Sequence, residues 1–230
     1  MDKNIYYLLL ILLVIYFAYK FYSKENIKEN LENTIKQDLK DIDDENRIPN
    51  QVEITKLTII KEPILLKYLT NTNHITNSDK TLINKITHPI RYKLKFNNVR
   101  YNLHEMRILK SERLVSFGEK FDLEIHLIHR DERNNNNILT IVFPIKTQKN
   151  NEPSNLLKDL LGSIYDIPEN NKFNVYNGKI TTIDYNCFKK YMQDTEICFY
   201  APTENKIHLI IQKPIFCNKY YIKRIKQVLA

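Results

Sequence analysis

The chain has 230 residues, room for one domain with a sizeable core and a further segment, and 43% of its residues are apolar. Its three cysteines, Cys187, Cys198 and Cys217, include no CxxC pair and match no zinc-module spacing, which excludes a disulfide framework and a cysteine-based zinc module. The net charge is +8, and of the 35 Lys/Arg and 27 Asp/Glu, residues 1–46 hold 6 and 9 while residues 47–230 hold 29 and 18. The longer part is therefore basic, and a basic surface attracts polyanions: nucleic acid, sulfated glycans or acidic lipid headgroups.

Ile5 to Tyr19 is an unbroken apolar run. Lys20 can snorkel, and Phe21 and Tyr22 extend the stretch to 18 residues. That reaches the lower end of the roughly 17–25 residues that span a bilayer core. Tyrosines stand at both ends, as in an interfacial belt. A cleaved signal peptide would show a basic start and a small-residue cleavage site. Here the start is Asp2-Lys3 and the run ends in Tyr-Lys-Phe-Tyr-Ser-Lys, so residues 1–22 read as an uncleaved N-terminal transmembrane anchor. Lys20, Lys24 and Lys28 outnumber Lys3, a weak positive-inside signal for the cytoplasmic side that does not by itself fix the side of the membrane.

Residues 23–46 are acidic, with Ile27, Leu31, Ile35, Leu39 and Ile42 at helical spacing, and read as a helical stalk or linker. From Arg47 the texture changes to strands. Val52 to Ile60 alternates, as does Ile90 to Phe96, and Asn97-Asn98 is a hairpin turn leading into a strand from Val99 to Ile108. Phe121 to His129 is the next strand, Asn134–Asn137 a loop tip, and Ile138 to Ile145 an apolar buried strand. Leu156, Leu157, Leu160, Leu161 and Ile164 give the apolar face of a helix over 153–165. Lys206 to Gln212 reads as a strand and Asn218 to Leu229 as a basic C-terminal helix. The fold class is mainly β with peripheral helices, over residues 47–230, plus the N-terminal transmembrane helix.

The strand at 121–129 carries the chemistry. Asp122, Glu124 and His126 share one face, and Phe121, Leu123, Ile125 and Leu127 share the other. Two carboxylates and an imidazole aimed one way either line a polar cavity or face water.

Phe-Asp-Leu-Glu-Ile-His-Leu-Ile-His at 121–129 resembles the Leu-Glu-x-His-Leu-Val-His strand of the α-carbonic anhydrases. Tyr101 to Glu105 resembles the Tyr-x-Leu-x-Gln that opens that family's zinc strand. Ser111-Glu112-Arg113 and Gly118 to Phe121 resemble the segment before its next strand. Ile207 to Ile215 resembles its strand ending Lys-x-Pro-Ile, and Arg47 to Ile54 its Gln-Ser-Pro-x-Asn-Ile. The resemblance covers about residues 47–229 in the family's order and implies a central twisted sheet.

It also implies a zinc site that this chain has lost. The family binds zinc through three histidines, and its positions fall here on Arg107, Leu109 and His126, with Glu105 and Glu124 where carboxamide and carboxylate groups orient the ligands. Zinc needs three neutral donors and an open fourth position. A guanidinium and an isobutyl group supply neither, so no metal, no cofactor and no catalytic residue is expected. Arg107 is instead expected to pair with Glu124, and His126 to bond a neighbour such as Glu105. The family's Thr-Thr-Pro-Pro is replaced by Glu196 to Pro202. Cys198, in that segment, has no histidine partner placed by the sequence and does not read as a nucleophile.

Among carbonic anhydrase-like proteins lacking the zinc histidines, the chain resembles the poxviral cell-surface-binding virion membrane proteins. That resemblance implies a catalytically inactive binding protein, held in a membrane, possessing basic residues for sulfated glycosaminoglycan. The anchor here is N-terminal, whereas the poxviral one is C-terminal. Lys93, Lys95, Arg100, Lys219, Lys223, Arg224 and Lys226 are the candidate polyanion-binding residues; nucleic acid is not expected. Two other readings stand beside this one: an active zinc carbonic anhydrase, and a structural virion or membrane protein that binds another protein.

Overall fold

The computed structural model describes residues 52–53, 57–60, 64–78, 80–111, 114–116, 118–148, 164, 167, 176–193 and 195–230. The anchor at 1–22, the stalk at 23–46 and most of the helix expected at 153–165 lie outside the described residues. No helix among the described residues is long and apolar enough to cross a membrane.

The strands are β1 (Val52–Glu53), β2 (Thr58–Ile60), β3 (Leu65–Lys67), β4 (Thr70–Ser78), β5 (Thr81–Lys85), β6 (Lys93–Phe96), β7 (Val99–Lys110), β8 (Leu114–Ser116), β9 (Glu119–Lys120), β10 (Leu123–Asp131), β11 (Ile138–Thr147), β12 (Tyr176–Asp184), β13 (Ile197–Thr203), β14 (Lys206–Ile211) and β15 (Ile215–Cys217). The helices are α1 (Cys187–Met192) and α2 (Lys219–Val228). One twelve-stranded mixed sheet runs β12-β4-β5-β7-β10-β11-β14-β13-β2, with β6 and β3 added at β7 and β15 at β11. β1, β8 and β9 form a separate small sheet.

β10 and β11 form the middle of the large sheet, and both are buried on two faces. Every residue of β11 from Ile138 to Ile145 is buried, the continuous pattern of a strand covered on both sides. Its outer edge is shared: β14 pairs along Ile138–Val142 and β15 along Ile145–Thr147. Pro144, which has no N–H to donate, falls in the gap between the two.

The larger core lies on the face of Leu123, Ile125 and Leu127, with Met106, Ile108, Ile141, Phe143, Leu209 and Ile211 beside them. α1 contributes Phe188, whose ring lies 4.8 Å from that of Phe143. α2 contributes Ile222, Ile225 and Val228, and its N-terminus is capped by the Asn218 side chain accepting from the Tyr220 N–H at 3.0 Å. The opposite face carries a smaller apolar cluster of Leu114, Phe121, Val142, Cys198 and Ile210.

Several expectations change, among them the strand expected over 121–129, which runs Leu123–Asp131. The alternation over 52–60 divides between two sheets, since β1 pairs β8 and β2 pairs β13. The strand expected from Ile90 begins at Lys93, because Pro89 starts a 3₁₀ turn through Arg91 with its fixed φ. The strand expected to end at Ile108 continues to Lys110. The Asn97-Asn98 turn forms as read, with φ of 46° and 59° at the two residues, the left-handed pair that a two-residue hairpin requires.

Candidate functional site

The site is built on the smaller-cluster face, where β7 and β10 run antiparallel. Arg107 lies directly opposite His126, Leu109 opposite Glu124, and Glu105 opposite Ile128. A bulge follows: His129 faces Leu103, so His104 is the extra residue on β7. It sits where β7 changes its other partner, from β6 along Val99–Asn102 to β5 along Glu105–Ile108. The bulge preserves the alternation on β10, and His129 points into the larger core, away from His126. Its Nδ1–H donates to the Leu139 carbonyl at 3.0 Å, which leaves Nε2 to accept from the Tyr68 hydroxyl at 2.6 Å.

Arg107, Glu124 and His126 are 3%, 3% and 4% exposed, so any charge among them must be paired inside the protein. The pairing runs along each strand rather than across. Arg107 Nη2 lies 2.7 Å and Nε 2.9 Å from Oε1 of Glu105. His126 Nε2 lies 2.8 Å from Oε2 of Glu124, and the Ser111 hydroxyl donates to Oε1 of the same carboxylate at 2.6 Å. The expected Arg107–Glu124 and His126–Glu105 bonds are therefore replaced by two within-strand pairs. Residues i and i+2 share a face, and long side chains reach across that step. Both Glu124 oxygens are already engaged by His126 and Ser111.

The wall beyond His126 is hydrocarbon, since Val142 lies opposite it on β11, then Ile210 on β14 and Cys198 on β13. Burial, then the field of Glu196, pushes the Cys198 thiol up, away from the reactive thiolate. The next row along the sheet reads Glu105, Ile128, Thr140, His208, Tyr200. Thr140 Oγ1 and His208 Nδ1 are buried there without a hydrogen-bond partner among the described residues. Burial, with smaller contributions from His126 and Lys206, holds the His208 imidazole down to about 3, so it is neutral in this row. His208, Thr140 and Ser111 are site residues that the sequence reading left out. The alternation of Ile207, Leu209 and Ile211 against His208 and Ile210 was the signal that puts His208 on this face.

The basic residues separate into two groups. Lys93 and Lys95 on β6 and Arg100 on β7 come together, with Lys95 directly opposite Arg100 and Lys67 of β3 opposite Lys93. All four are exposed. The helix residues do not join them. Lys226 Nζ bonds the Asp122 carboxylate at 2.5 Å, and Arg224 Nη2 donates to the Ile167 carbonyl at 3.4 Å. Asp122 lies beside Ser111, past the end of β7, whereas Arg100 lies at its start. The two groups thus stand at opposite ends of a strand of twelve residues, on the order of 30 Å apart at about 3.3 Å per residue. Lys219 and Lys223 remain exposed on α2.

No protein-family model and no curated protein matches the sequence. Solved structures do match this architecture. A fungal α-carbonic anhydrase from Aspergillus oryzae superposes with a TM-score of 0.65 at 12% identity, over 80% of this chain and 78% of its own. The α-carbonic anhydrase of Photobacterium profundum gives 0.62 at 17% identity, over 79% and 82%. Dioscorin, in a complex with ascorbate, gives 0.63 at 19%, over 79% and 75%. The fold is that of the α-carbonic anhydrases.

That fold implies a zinc ion, and the residues at the implied positions do not fit one. His126 offers a single imidazole. Arg107, directly opposite, brings a fixed positive charge already bound to Glu105, and Leu109 has no donor. Among the described residues no three His, Cys, Asp or Glu side chains are grouped to hold a metal ion.

Proposed function

We propose that this chain is a catalytically inactive protein of carbonic anhydrase fold that binds polyanions, glycosaminoglycans in particular, and is held in a membrane, that of a virion, by its N-terminal segment. The observation that carries the first part is buried Arg107, opposite His126 and paired with half-buried Glu105. Carbon dioxide hydration on this fold needs a metal that lowers the pKa of bound water. A guanidinium repels such a dication and supplies no lone pair to hold it. The binding reading rests on the basic balance of residues 47–230 and on the exposed cationic face of β6 and β7. The anchor reading rests on the apolar run from Ile5 to Tyr22.

A second reading, an active zinc enzyme, draws support from one contact. Glu124 grips His126 through Nε2, and carboxylates orient metal-binding imidazoles in this way. The two readings diverge in a paired assay on the full chain in nonionic detergent. The binding reading expects no carbon dioxide hydration above the buffer rate and retention on heparin beyond physiological salt. Hydration that a chelator abolishes would favour the enzyme, and elution from heparin at or below physiological salt would remove the polyanion reading.

A further inference from the structure

We infer that the polyanion contact is a single element of this fold, the exposed face of the β3–β6–β7 ladder, made by Lys67, Lys93, Lys95 and Arg100, and that it takes a sulfated glycan chain. The assignment rests on the binding reading above and narrows it.

The registers put two like-charged pairs side by side. Lys67 lies opposite Lys93, and Lys95 lies opposite Arg100. Like charges directly opposite one another destabilise a sheet, so such a ladder works against folding unless an anion completes it. Among the described residues only one of the four has an acidic partner: Lys93 Nζ lies 2.7 Å from Glu132, in a half-exposed pair. Among the described residues no carboxylate pairs with Lys67, Lys95 or Arg100.

The spacing selects the partner. Strands lie about 4.8 Å apart and alternate residues about 6.7 Å apart, so the four cations span a patch of roughly 10 by 7 Å. A single small anion reaches two of them. A polymer bearing anions every few ångströms reaches all four. On α2, by contrast, Arg224 and Lys226 are committed to Ile167 and Asp122. That leaves Lys219 and Lys223 one turn apart, too few to rival the ladder.

The test uses the full chain in nonionic detergent, eluted from heparin with salt. The triple variant Lys67→Gln, Lys95→Gln, Arg100→Gln should lose retention at physiological salt, and the slope of log affinity against log salt should fall by about three, one for each lost contact. The double variant Lys219→Gln, Lys223→Gln should elute close to the unaltered protein. A separate variant, Lys95→Glu, keeps unfolding from imitating the result. It creates a cross-strand pair with Arg100, so its melting temperature should rise while its retention falls. The ladder assignment is overturned if the triple variant elutes with the unaltered protein, or if the helix variant loses as much per charge. It is also overturned if the triple variant loses binding to duplex DNA but not to heparin. Failure of the unaltered protein to bind heparin at all would instead remove the binding reading, and the ladder with it.

Discussion

Arg107 is 3% exposed and its counter-charge, Glu105, sits two residues away on the same strand. Burying an ion pair costs desolvation that its own attraction only about repays, but removing one partner leaves the other stranded. Glu105→Gln should therefore destabilise the protein by about 3 kcal/mol in a urea melt. The double replacement Glu105→Leu, Arg107→Met should come back to within about 1 kcal/mol of the unaltered chain, because neither charge is then left alone. A double variant as unstable as the single one would mean that Arg107 makes a further indispensable contact. Leu109 explains itself at the same scale. Lying opposite Glu124, whose two oxygens are taken by His126 and Ser111, it faces no group in need of a donor.

At the scale of elements, the central strands were legible because their chemistry is. β11 is built mostly from Ile, Leu, Val and Phe, β10 alternates Leu123, Ile125 and Leu127 against Glu124 and His126, and β6–β7 turn through two asparagines that accept a left-handed backbone. β4 was not legible: its sequence is Thr-Asn-Thr-Asn-His-Ile-Thr-Asn-Ser. Apart from Ile75, which is buried in the larger core, it is held by amide chemistry. Asn71 donates to Oδ1 of Asn84 at 2.8 Å and to the Lys85 carbonyl at 2.9 Å, Tyr185 donates to the same Asn84 oxygen at 2.8 Å, and Asn77 donates to the Val228 carbonyl at 3.0 Å. Such bonds link residues up to 151 positions apart, and no local pattern announces them. The site was legible in part for a related reason. Strand alternation placed Glu124 and His126 on one face, whereas which carboxylate meets which cation depends on a register, and on Ser111, that alternation cannot fix. Lys67 was missed because β3 has only three residues, and only its pairing with β6 brings it beside Lys93.

Across the whole molecule, two imidazoles from different strands bear on the response to acid. Burial holds His129 and His208 each down to about 3, far from the ordinary 6.5. The unfolded chain takes up these two protons near pH 6.5 and the folded chain does not, so their contribution to stability is complete above about 6.5. It declines as the pH falls from there toward 3, by up to about 1.4 kcal/mol per pH unit for each group. Melts between pH 7 and 4 should show this loss, and His208→Phe should flatten it in part, since His129 and His104, which burial also lowers, remain. An unchanged slope in that variant would mean that His208 is charged in the folded protein.

On the proposed reading, a carbonic anhydrase fold persists here around a guanidinium in place of a metal. The direct measurement is the zinc content of the full chain purified from zinc-supplemented cells, beside that of a variant carrying Arg107→His and Leu109→His. The expected result is negligible zinc in the unaltered protein and about one ion per chain in the variant, whose restored imidazoles complete a tetrahedral donor set with His126. About one tightly held zinc per chain in the unaltered protein would contradict the account.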